Sequence, residues 1–118
     1  MYKLSKQDIK RGLKFPKKLS KSLAEEIGIH IGDGSLGIYK YNKDVKYSYS
    51  ISGGYDDEKY FLEFVIPLMY KLYNIYPTFY KSKKEKSISL HYRSKGTLHF
   101  KNSIGLQLGK KTDLSNQN

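Results

Sequence analysis

The residues best suited to chemistry lie in one run, Leu23-Ala24-Glu25-Glu26-Ile27-Gly28-Ile29-His30-Ile31-Gly32-Asp33-Gly34-Ser35. Leu23, Ile27 and Ile31 recur at every fourth position and predict an apolar helical stripe, with a second stripe of small residues, Ala24, Gly28 and Gly32, beside it. Each interior glycine costs a helix roughly 1 kcal/mol relative to alanine, so the missing side chains should serve a close approach. A second copy of the same helix is one candidate for what approaches; the sheet or a bulky Tyr of this chain is the other. Asp33 closes the helix, where the negative end of the macrodipole disfavours a carboxylate. A divalent cation held by Asp33 and a last-turn carbonyl such as that of Gly32 would compensate, although an Asp-Gly turn into a strand explains the dipeptide more simply. Gly32 to Gly37 also spells G-x-G-x-x-G, but a dinucleotide site needs a strand before that string and a helix after it. Here the order is reversed.

The elements that must position this run belong to a chain of 118 residues, enough for one domain. Its net charge of +11 calls for a polyanionic partner, with nucleic acid the first candidate. The excess divides between Met1–Lys21 at +7 and Tyr76–Lys111 at +8, with −3 between them, so it should form a face rather than a tail. The absence of cysteine excludes disulfides, Cys-ligated zinc and a thiol nucleophile. No signal sequence and no apolar run of about 18 residues is present, so the expected setting is the cytoplasm, or wherever its nucleic-acid partner lies, with no membrane; no small-molecule cofactor is expected.

Ser20 or Ser22 should start the first helix, with Ser22 and Glu25 spaced as a capping box. From Ser35 the period becomes two, and two runs turning at Asn42-Lys43-Asp44 predict a hairpin. After Gly53-Gly54, the carboxylates Asp56, Asp57 and Glu58 open a helix that buries Phe61, Phe64, Val65, Leu68 and Leu72, and Pro67 should kink it. A second hairpin, Pro77–Ser82 and Ser87–Arg93, and a helix from Ser94 to Gly105 complete the order α-ββ-α-ββ-α. The expected fold is α+β: one four-stranded antiparallel sheet with helices on one face and the other face open. Residues 1–19 read as a basic arm, 20–113 as the domain and 114–118 as a polar tail. On the open face alternation places Ser35, Gly37, Tyr39, Tyr41, Lys46, Ser48, Ser50 and Ser52, then Tyr80, Ser82, Ser87, Ser89, His91 and Arg93. Twenty of the basic residues are Lys and two are Arg, a composition suited more to phosphate contacts than to bidentate guanine readout.

Leu23, Ala24, Ile27, Gly28, Gly32, Asp33, Gly34 and Ser35 resemble the LAGLIDADG motif of homing endonucleases in its L-A-x-x-I-G-x-x-x-G-D-G-S form, and the order of elements is similar to that family's domain. The closing Leu108-Gly109-Lys110-Lys111-Thr112-Asp113 is similar to the family's basic segment after the fourth strand. The resemblance implies a site-specific, Mg²⁺-dependent endonuclease of double-stranded DNA, tied to intron or intein mobility. It implies a homodimer through Ala24, Gly28 and Gly32, with Asp33 as catalytic metal ligand and Lys110 or Lys111 as the cationic member of the site. The sequence departs from the motif at Glu26, His30 and Ile31, positions that vary between members and bear only on the surface of the helix. A non-cleaving DNA regulator, an RNA-binding maturase-like protein stacking bases on Tyr39, Tyr41 and Tyr80, and half of a two-motif enzyme are the alternatives.

Overall fold

A computed structural model describes residues 6–107 and 112–113. The first helix of the motif region is α2 (Lys21–Asp33), preceded by a short α1 (Lys6–Arg11). Ser20, extended at φ −135° and ψ 168°, caps α2, and its side chain accepts a hydrogen bond from the Leu23 amide at 3.1 Å. The expected Ser22–Glu25 capping box does not form, because Ser22 lies inside the helix, where its hydroxyl meets Lys71 Nζ at 3.0 Å. At the other end the chain passes directly from Asp33 into β1 (Gly34–Tyr41). A Cβ on Gly34 would stand 2.8 Å from the Cα of His30 and 2.6 Å from its Cδ2, so this corner admits only glycine.

β1 pairs antiparallel with β2 (Asp44–Gly54) around left-handed Asn42, at φ 54°. The chain then makes one 3-10 turn (Tyr55–Asp57) and a helix in three pieces: α3 (Glu58–Tyr60), a π turn (Phe61–Val65) and α4 (Ile66–Tyr73). Proline has no N–H and its ring crowds the carbonyl four residues back, and the wide turn just before Pro67 relieves that crowding. The same widening rotates the helix faces. Phe64, expected in the core, is therefore exposed and stacks on Tyr60 at 5.4 Å, while Met69 and Tyr73 are buried.

β3 (Thr78–Ser82), β4 (Ser87–Tyr92) and α5 (Lys95–Ser103), capped by Ser94, follow. The sheet order is β3-β4-β2-β1, all antiparallel as expected, and a two-residue β5 (Thr112–Asp113) adds a parallel fifth strand beside β1. Leu36, Tyr49, Ile51, Ile88, Leu90 and Tyr92 alternate onto the buried face beneath the helices, where Leu23, Val65, Leu68 and Leu98 meet them. Within the segment read as an arm, Leu13 enters the core, Lys14 N–H donates to Tyr73 O at 3.0 Å, and buried Asp8 accepts from the Gly96 amide at 3.4 Å. Among the described residues no helix is long and apolar enough to cross a membrane.

Candidate nucleic-acid interface and carboxylate site

The strand registers bring the expected polar residues onto one face. Ser35 stands opposite Ser50, which stands opposite His91; Tyr39 opposes Lys46, Ser52 opposes Ser89, Ser89 opposes Tyr80, and Ser87 opposes Ser82. Ser35 and Ser50 hydroxyls lie 3.0 Å apart, and Ser89 Oγ lies 2.8 Å from His91 Nε2. Gly37 also falls on this face opposite Ser48, but it is buried: the Tyr39 ring folds over it, and a Cβ there would be 2.7 Å from the Tyr39 hydroxyl. Gly37 thus makes room for Tyr39 instead of touching a ligand. The side chain of Tyr41, like Lys110 and Lys111, lies outside the described residues.

Tyr39, Lys46, Tyr47, Ser48, His91 and Arg93 line an open cavity of about 330 Å³ on this surface. The ring of Tyr80 meets His91 edge-on at 4.9 Å and carries the Arg93 guanidinium over its face at 5.6 Å. Burial, and then the charge of Arg93, lower the pKa of His91 below its ordinary value, which favours the neutral ring.

Asp33 ends α2 exposed, directly before the first residues of the open face. Ala24, Gly28 and Gly32 are exposed as well, and added Cβ atoms at Gly28 and Gly32 would have nothing within 4 Å. Among the described residues no sheet or Tyr approaches these glycines, which favours the other explanation, a second copy of the helix. Ile31, 73% exposed, lies on the same solvent-facing side. No group of three or more potential His, Cys, Asp or Glu ligands occurs among the described residues, and Asp33 stands at the end of α2 beside the last-turn carbonyls around Gly32. Such hard oxygens suit Mg²⁺, which commonly takes one or two carboxylates together with phosphate and water.

The buried side of α2 differs from the expected stripe. Leu23, Glu26 and His30 face inward, whereas Ile27 is only half-buried and Ile31 is exposed. Glu26 and His30 are corrected from surface to interior positions. The Glu26 carboxylate accepts from Lys101 Nζ at 2.6 and 2.5 Å, from the Tyr73 hydroxyl at 3.0 Å and from the Tyr49 hydroxyl. Burial, and then the negative charge of Glu26, hold both tyrosines well above the usual phenol pKa. Lys101 is lowered by burial against the opposing pull of Glu26. Neither Glu26 nor Lys101 carried a signal in the sequence, because their partnership joins positions 75 residues apart.

His30 stacks on Tyr49 at 4.8 Å, and its Nδ1 has no hydrogen-bond partner among the described residues. Burial, and then Lys101, lower its pKa from 6.5 to about 4. The unfolded chain therefore takes up a proton that the folded chain refuses. The stability contributed by His30 staying neutral is full above pH 6.5 and is lost as the pH falls toward 4. After allowance for solvent screening the loss is about 2 kcal/mol. Urea denaturation across this range should show it, and His30→Phe, which keeps a ring on Tyr49 but cannot titrate, should flatten the slope.

No family model and no curated protein matches the sequence. In fold the chain is similar to a solved structure of I-DmoI, a doubly substituted form in complex with its target DNA nicked in the coding strand, in the presence of manganese. The TM-score is 0.56, with 21% identity, covering 70% of this chain and 48% of that one. The chain thus spans about half the length of that protein, and the likeness is one of fold: the α+β class with one antiparallel sheet beneath packed helices.

Proposed function

We propose that this chain is a DNA endonuclease of the LAGLIDADG type, active as a homodimer. The observation that carries the reading is the placement of Asp33: an exposed carboxylate at the end of a helix whose small-residue side is bare, directly before the open sheet face. The solved fold neighbour in complex with its target DNA supports a duplex ligand, and since the match covers 48% of that protein, two copies of the matched part would span about its length. In this reading Ala24, Gly28 and Gly32 let two α2 helices pack closely, bringing the two Asp33 carboxylates together over the DNA. Two like charges at that distance need a cation between them. Asp33 and the Gly32 carbonyl would hold Mg²⁺ or another divalent ion, which when bound supplies Lewis-acid activation of water and charge neutralisation at the scissile phosphate. Lys110 and Lys111 remain the proposed cationic members. Ser35, Tyr39, Lys46, Ser48, Ser50 and Ser52, with Tyr80, Ser82, Ser87, Ser89, His91 and Arg93, would face the major groove, which is wide enough to admit a two-stranded ribbon.

Selection of cleaved sites from a random duplex library with Mg²⁺ tests activity and symmetry together. The expected target is a near-palindrome, since a two-fold pair imposes its symmetry on its ligand. Gly28→Leu then separates assembly from folding. Open space around Gly28 accommodates the side chain, and replacing an interior helical glycine should leave the lone domain as stable or about 0.5–1 kcal/mol more so. The same change should convert the dimer to a monomer in light scattering and abolish cutting of both strands. A wild-type monomer acting on asymmetric sites would favour half of a two-motif enzyme.

A further inference from the structure

Among the cations of the open face Arg93 differs in kind. It is one of two arginines in the chain, and the other, Arg11, donates to the Arg93 carbonyl at 3.4 Å from α1. Its guanidinium is held over the Tyr80 ring at 5.6 Å, and the opposite constraint on that ring is the edge contact with His91, itself bonded to Ser89. Tyr80 from β3, His91 from β4 and Arg93, the residue directly after β4, thus form one prearranged unit, which reduces the rotamer freedom Arg93 would lose on binding. Its position is also distinctive. Arg93 directly follows β4, an interior strand flanked by β3 and β2. The β2–β4 register ends at Tyr49–Tyr92, one residue before Arg93, and Arg93 lines the same cavity as Ser48 near the middle of β2. Lys43, Lys83, Lys84 and Lys86, by contrast, are exposed in the hairpin turns. A surface laid in a groove brings its turns near the phosphates and its central strands near the base edges.

We propose that Arg93, oriented by Tyr80 and His91, reads a guanine in the major groove, making it a specificity-determining residue of the sheet. The assignment rests on the duplex-DNA reading above. A planar guanidinium matches guanine O6 and N7 with two parallel hydrogen bonds, a geometry that the point charge of lysine lacks. His91 in its neutral form adds no repulsion to this arrangement.

The test is selection of bound sites from a random duplex library by the full chain, without metal, for wild type, Arg93→Lys and Tyr80→Leu. Wild type should enrich sites containing a required G·C pair. Arg93→Lys should lose about tenfold or more of its preference at that one pair while keeping its affinity's dependence on salt, because the positive charge remains. Tyr80→Leu should weaken the same preference to a smaller extent. Identical preferences for wild type and Arg93→Lys, or a uniform loss across all positions, would make Arg93 a phosphate contact and overturn the proposal while leaving DNA binding standing. No duplex binding by wild type, or displacement of duplex by structured RNA, would overturn the DNA reading and the proposal with it.

Discussion

Asp33→Asn should abolish divalent-metal-dependent cleavage, by a factor of about 10³ or more, corresponding to at least about 4 kcal/mol of transition-state stabilisation. Duplex affinity should stay within a few-fold, since phosphate contacts dominate binding. The structure makes this a clean substitution. The Asp33 side chain is exposed and has no hydrogen-bond or ion-pair partner among the described residues. Removing its charge from a helix C-terminus should raise fold stability by about 0.3–1 kcal/mol. A thermal melt alongside the cleavage assay therefore distinguishes loss of chemistry from loss of structure. Cleavage undiminished in the variant would sink the assignment of Asp33 as metal ligand.

Lys101→Met should destabilise the fold by about 3–5 kcal/mol, because it leaves the Glu26 carboxylate buried without its countercharge. Against a total stability of about 5–15 kcal/mol for an ordinary domain, that is a large fraction. Adding Glu26→Gln should recover most of the loss: the amide oxygen still accepts from Tyr49 and Tyr73, and no charge remains to be compensated. Urea denaturation of the two variants measures both effects. A Lys101→Met protein within about 1 kcal/mol of wild type would mean that Glu26 can reach water or protonate at little cost.

The pair matters for the site because Glu26 and Asp33 share α2. Lys101 from α5, Tyr49 from β2 and Tyr73 from α4 all converge on one carboxylate, setting the rotation of α2 about its axis. That rotation turns Leu23, Glu26 and His30 inward and leaves Ala24, Gly28 and Gly32 facing solvent.

Local pattern was sufficient for much of this molecule. Alternation at period two placed Ser35, Lys46, Ser50, Ser52, Ser89 and His91 on one face, because successive strand side chains point in opposite directions whatever packs on the sheet. The order of helices and hairpins, and Asp33 at a helix end before a tight Asp-Gly corner, were likewise legible. Which side of α2 is buried was not, since hydropathy ranks Ile27 and Ile31 above Glu26 and His30 as core residues. The ranking reverses only when a lysine and two phenols from distant positions meet the carboxylate inside the protein. Phe64 left the core for a related reason: periodicity assumes a uniform helix, and the π turn before Pro67 changes its phase. Gly37 lost its place in the interface because Tyr39 covers it. Periodicity reports the direction of a side chain relative to its own backbone. Burial, charge compensation and access to a ligand depend on what the rest of the chain brings against it, and those relations arise only in the folded state.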